Sequence, residues 1–233
     1  MRNGQNQLSM DLCQRSSKDA LEDALCSDIV KIIQNSIAQN GDARILLSGG
    51  STPYGVYQKL AISDVEWSKV IIGMVDERMV GKTDSASNYG NLMQVFQQPI
   101  EQEALVLPMV MTTSDWTVNL FLVSESYKPF MERTDFVLLG MGNDGHTASL
   151  FPNDAASELD LNSDEVTLLY TYSPSEPKLR MTCSRGMLRR AKNIAVLFTG
   201  EDKMAVFESA EKNNLPIFRV LSDLGRVKIY YSK

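Results

Sequence analysis

His146 is the only histidine among 233 residues, and Asp144 stands two positions before it. Histidine is the side chain that ordinarily titrates near neutral pH, so it suits general acid–base work. Any such chemistry in this chain therefore falls to His146, with Asp144 close enough to orient the imidazole. Both lie in Gly140-Met-Gly142-Asn-Asp144-Gly145-His146, directly after the apolar run Phe136 to Leu139. That pattern predicts a buried strand running into a glycine-rich turn. The plainer alternative is a histidine that only bonds nearby backbone.

Other segments could hold an anion. In Ser48-Gly49-Gly50-Ser51-Thr52-Pro53 the glycines let backbone N–H groups come close to a ligand. Thr52 is expected to cap the next helix and Pro53 to take its first position. A helix start reached through glycine and hydroxyl residues is either a phosphate cradle or simply a well-made strand–helix turn. Asp76-Glu77-Arg78 is either a solvated turn or a place where Arg78 meets an anionic substrate, with a carboxylate ordering it or binding hydroxyls. Arg180 is expected just after a strand. Lys203 opens a helix, where its charge opposes the helix dipole; it is either a solvent-facing lysine or one whose charge is offset by an anion.

Several chemistries lack their residues. One histidine with no cysteine beside it makes no zinc site, and no Gly-x-Ser-x-Gly elbow is present. The Ser48–Pro53 turn is no Walker loop, because no Gly-Lys-Ser/Thr follows. Gly140, Gly142 and Gly145 do match the dinucleotide fingerprint Gly-x-Gly-x-x-Gly. Against that reading, Pro152 interrupts the helix it needs, and Asp164 and Glu165 precede Val166 rather than close the next strand. The net charge of −6 argues against nucleic acid as a partner. Cys13, Cys26 and Cys183 form no Cys-x-x-Cys pair and read as reduced structural thiols. No apolar run spans a membrane, and Met1 to Gln7 is polar, unlike a secretory signal. A cytoplasmic location is expected.

The elements that must position these groups alternate. Helical spacing covers Ser17 to Gln39, with Gly41 as the stop, and then Pro53 to about Leu60, a helix from Asn88, Ser114 to Met131, Ser184 to Arg190 and Glu201 to Lys212. Strands are expected at Ala43–Leu47, Val70–Val75, Phe136–Leu139, Val166–Tyr172, Ile194–Phe198 and Arg226–Tyr231. This alternation predicts one α/β domain over residues 1–233 with a mainly parallel sheet. Ligands gather at the carboxyl ends of such strands, where the candidate motifs fall. Ser173-Pro-Ser-Glu-Pro177 is the clearest irregular segment.

Taken together, the blocks resemble the 6-phosphogluconolactonases. These blocks are Leu47 to Pro53, Val75 to Arg78, Ser87-Asn88, Gly140 to Pro152, Arg180 to Thr182 and Thr199 to Lys203. The glycine-serine turn is also similar to that of glucosamine-6-phosphate deaminases. After Asp-Gly-His those read Ile-Ala-Phe-Asn-Glu-Pro, whereas this chain reads Thr147-Ala-Ser-Leu-Phe-Pro152. Gly81 and Met181 depart from the family's usual proline and isoleucine, and neither change removes a chemical group. The resemblance implies a Rossmann-like three-layer fold, shared with those deaminases and ribose-5-phosphate isomerase A. It implies hydrolysis of 6-phospho-D-glucono-1,5-lactone in the oxidative pentose phosphate pathway, with a sugar-phosphate lactone as partner and no metal or organic cofactor. By the same resemblance, His146 activates water, Asp144 orients it and Arg78 or backbone N–H groups meet the oxyanion. Gly49, Gly50, Ser51, Thr52, Asp76, Arg180 and Lys203 bind substrate and its phosphate. An amino-sugar phosphate deaminase or isomerase, or a non-catalytic sugar-phosphate sensor, stays open as an alternative.

Overall fold

Ser17, the buried stripe Leu21, Leu25, Ile29 and Ile33, and Gly41 delimit the longest helix in a computed structural model that describes residues 10–224 and 227–233. Met1 to Gln7 and Arg226, the expected first residue of the last strand, lie outside the described residues. Strand β1 (Met10–Arg15) precedes this helix, α1 (Lys18–Asn40). The Ser17 hydroxyl accepts the Ala20 N–H at 3.2 Å, and Gly41 ends the helix in the left-handed region at φ 84°.

The chain continues through β2 (Ala43–Leu47), α2 (Tyr54–Ala61), β3 (Val70–Met74) and β4 (Asp76–Arg78). Next come α3 (Asn88–Val95), α4 (Gln97–Glu101), β5 (Leu105–Val106), α5 (Trp116–Ser126) and α6 (Lys128–Glu132). Then follow β6 (Phe136–Gly140), α7 (Ala155–Asp160), β7 (Leu168–Tyr172), β8 (Leu179–Cys183) and α8 (Arg185–Arg189). The last elements are β9 (Asn193–Thr199), α9 (Glu201–Glu208), α10 (Pro216–Leu221) and β10 (Val227–Ser232).

Seven strands form one parallel sheet in the order β1-β10-β9-β6-β2-β3-β5. Helices flank it, with α1 against β1, β2 and β10, α6 against β2 and α9 against β9. Its inner strands are buried on both faces, as in Ile45 to Leu47 and Val137 to Leu139. From β2 the order runs one way to β3 and β5, and the other way to β6, β9 and β10. The crevice at the carboxyl ends of β2 and β6 is therefore the switch point where such sheets bind ligands.

A second, antiparallel sheet has the order β4-β8-β7. This corrects three expectations. The stretch expected as a parallel strand from Val166 is β7, in the small sheet, and Arg180 lies inside β8 rather than after a strand. Asp76-Glu77-Arg78 is itself a strand, because β2 ends at Leu47 and the extending chain takes β8 as its new partner. The helix expected over Ser114–Met131 is two helices. Buried Tyr127 ends α5 and Pro129 starts α6, with the Tyr127 hydroxyl accepting the Met74 N–H and donating to the Leu107 carbonyl.

Glu77 ties β4 to the start of α3. Its carboxyl is buried and accepts the N–H groups of Arg78 at 2.7 Å, Asn88 at 2.8 Å and Tyr89 at 2.7 Å, together with the Ser87 hydroxyl at 3.1 Å. Burial pushes this carboxyl up from the ordinary glutamate value, against the pull of those N–H groups. Glu77→Ala would leave the Asn88 and Tyr89 N–H groups unpaired at about 1–3 kcal/mol each. Urea unfolding should show a loss of about 2–6 kcal/mol, since those costs sum. A loss within error of zero would mean water replaces the carboxyl there.

Candidate active site

A cavity of about 560 Å³ opens at the switch point. Its walls come from the turn after β2, one face of the small sheet, the turn after β6 and the start of α9. All ten residues singled out in the sequence line it: Gly49, Gly50, Ser51, Thr52, Asp76, Arg78, Asp144, His146, Arg180 and Lys203.

The turn after β6 is built around the imidazole. His146 Nδ1 lies 2.5 Å from Asp144 Oδ1, and the Gly142 N–H donates to the His146 carbonyl at 2.9 Å. Gly145 takes φ 78°, a conformation suited to glycine. Phe151 backs the ring, with centroids 4.7 Å apart. Burial works against ionising Asp144, but the hydrogen bond and charge of His146 prevail and hold its carboxyl below the ordinary aspartate value. An ionised carboxylate only accepts, so Nδ1 carries the proton, and in the neutral imidazole the lone pair is on Nε2. Nε2 makes no hydrogen bond with the described residues. No long helix follows this turn, and α7 starts only at Ala155. The glycine pattern therefore lacks the setting of a dinucleotide fingerprint.

The turn after β2 corrects one detail. Thr52 does not cap α2, which starts at Tyr54 with Pro53 at its boundary and no side-chain cap. The Tyr54 N–H instead closes a turn on the Ser51 carbonyl at 3.4 Å, so Thr52 lies within that turn. The Thr52 hydroxyl bonds no described residue and is left on the cavity wall. Gly50 has φ 92°, and a Cβ on Gly49 would meet the Asn88 amide at 2.0 Å.

Three cations line the cavity without an ion pair to any described carboxylate. Arg78 and Arg180 are opposite residues in the β4–β8 ladder. Arg78 donates to the Ala86 carbonyl at 2.6 Å and Arg180 to the Ser173 hydroxyl at 3.4 Å, while the Nε of each is buried without a partner. Burial first, and then the like charge of Arg78, push the Arg180 guanidinium down from its usual value. Lys203 donates to the Met141 carbonyl at 2.7 Å, and burial lowers its ammonium. An anion entering here would offset both effects. Among the described residues no group of three His, Cys, Asp or Glu could hold a metal ion.

The chain matches, over residues 16–229, the sequence model of the family Glucosamine-6-phosphate isomerases/6-phosphogluconolactonase. It belongs to that family. It is 34% identical to the 6-phosphogluconolactonase of Mesorhizobium japonicum, covering 80% of this chain and 79% of that one. It is 29% identical to that of Neisseria meningitidis, covering 94% of each. Among solved structures, a 6-phosphogluconolactonase from Shewanella baltica matches with a TM-score of 0.89 at 29% identity, covering 97% of this chain and 98% of that one. The enzyme from Trypanosoma brucei matches with a TM-score of 0.82 at 28% identity, over 97% of each chain. These matches bear out the fold class read from the sequence.

Sequence reasoning left four contributors without a role. Ser149 and Phe151 follow His146 in the same block, Asn88 starts α3, and Ser173 to Ser175 form the irregular segment. That segment's break in pattern was a usable signal. The partners of Ser149 and Asn88 lie on other strands, and no local pattern points to them.

Gly142 is required for a reason a test can reach. A Cβ there would lie 2.2 Å from Nδ1 and Cε1 of His146 and 2.8 Å from Asp144 Oδ1. Its φ is not left-handed, so alanine fits the backbone. Gly142→Ala should fold yet push the imidazole off Asp144. Proton NMR should then lose the downfield signal of the hydrogen-bonded Nδ1–H; an unchanged signal would refute the close packing.

Proposed function

We propose that this protein hydrolyses 6-phospho-D-glucono-1,5-lactone to 6-phosphogluconate, a step of the oxidative pentose phosphate pathway, with residues 1–233 acting as one catalytic domain in the cytoplasm. One observation carries the reading. An imidazole held by an ionised aspartate shares a cavity with three cations; among the described residues its Nε2 has no hydrogen-bonding partner and those cations have no carboxylate partner. No described helix is long and apolar enough to cross a membrane.

Nε2 takes a proton from water as the water oxygen bonds to the lactone carbonyl carbon. Asp144 stabilises the imidazolium that forms. The ring C–O bond then breaks, and Nε2 returns the proton to the departing ring oxygen. Arg78 and the N–H groups of the glycine-rich turns are the donors available to the tetrahedral oxyanion. The Gly49–Thr52 turn, Arg180 and Lys203 hold the phosphate. Water is the only co-reactant this scheme needs.

Two experiments check the scheme. His146→Ala should fold and lose about 10²–10⁴ of the enzyme-dependent rate, the usual worth of a positioned acid–base group. A folded variant with full turnover would exclude the dyad as the base. For the phosphate, Arg180→Ala and Lys203→Ala should each lower kcat/KM about ten- to a hundred-fold on the phosphorylated lactone, from about 1.5–3 kcal/mol per charge-assisted bond. The unphosphorylated δ-gluconolactone should suffer far less. Equal proportional losses would assign these residues to the fold or the chemistry instead.

A further inference from the structure

Asp76 is the one charged group of the cavity that neither of the preceding roles uses. It is 8% exposed, on the same face of β4 as Arg78, two residues away. Opposite it in the ladder stands Thr182, and opposite Arg78 stands Arg180. Despite those neighbours, Asp76 forms no ion pair with any described residue. Its one side-chain bond comes from the Ser149 hydroxyl, which donates to Oδ2 at 2.6 Å. Oδ1 accepts nothing from the described residues, yet it is absent from the atoms sealed away without a partner, so it is open to the cavity.

A nearly buried carboxylate with spare acceptor sites needs donors. Phosphate and a carbonyl oxygen carry none, whereas a sugar hydroxyl does. Ser149 itself has little freedom. It is fully buried, its N–H donates to the Thr182 hydroxyl at 3.2 Å, and its carbonyl accepts the Thr171 hydroxyl at 2.6 Å. The serine is thus clamped to β7 and β8 while its own hydroxyl fixes the rotation of the Asp76 carboxyl.

We infer that Ser149 is a specificity-determining positioning residue. It turns Asp76 so that Oδ1 accepts a ring hydroxyl of the lactone, which lets the cavity distinguish polyhydroxylated sugar lactones from deoxy ones. This rests on the reaction proposed above and deepens it.

The test compares kcat/KM for 6-phosphogluconolactone with its 2-deoxy, 3-deoxy and 4-deoxy analogues, each made by oxidising the matching hexose 6-phosphate. Wild type should favour the full substrate over at least one analogue by about ten- to a hundred-fold, the worth of one hydrogen bond to a charged group. Ser149→Ala, and Asp76→Asn as a second variant that keeps the side chain's shape, should reduce that preference at least ten-fold. The loss should fall on the hydroxylated substrate far more than on that analogue. Equal losses on the two, or no wild-type preference over any of the three analogues, would overturn the inference. Absence of any wild-type turnover of the phosphorylated lactone would instead refute the underlying reaction.

Discussion

Val75 links the two sheets, and the cavity depends on it. Its N–H donates to the Leu47 carbonyl at the end of β2, and its carbonyl accepts the Cys183 N–H from β8, at 3.0 and 2.9 Å. One residue thus ends the parallel ladder and begins the antiparallel one. This sets the distance and twist between the sheets. The large sheet brings the turn with His146 to its switch point, and the small sheet brings Arg78 and Arg180 to face it. Glu77 then fixes α3 to the same hinge, so Asn88 also reaches the cavity wall.

The pocket's charge runs against that of the whole chain. The protein carries a formal net charge of −6, yet its cavity contains three cations with no carboxylate partner among the described residues. Holding Arg180 next to Arg78 is costly, because burial and like charge both act against it. Such a cost persists where surrounding structure enforces it, and here the ladder pairing of β4 with β8 does so.

Legibility followed burial pattern. Strands such as Ala43–Leu47 and Phe136–Gly140 are apolar on both faces, and parallel sheets leave that mark on a sequence. Strand β4 is three charged residues and β5 only two residues long, and β1 is an edge strand paired solely with β10. None of them offers a periodicity to read. The two-sheet arrangement was hidden because antiparallel β7 and β8 look locally like any other strands. In the site, residues with distinctive chemistry were readable: the lone His146, the glycines, Arg180 and Lys203. Ser149 was not, because a serine acquires its meaning from Asp76, which lies 73 positions away.

The irregular Ser173–Pro177 connection is part of the cavity wall through Ser173, Pro174 and Ser175. Its ends are tied by the Ser173 N–H to the Lys178 carbonyl at 2.8 Å, and no element of the large sheet is built from it. A descendant chain could lengthen or reshape this connection without moving the imidazole or its aspartate. This wall can therefore change shape while the turn after β6 stays fixed.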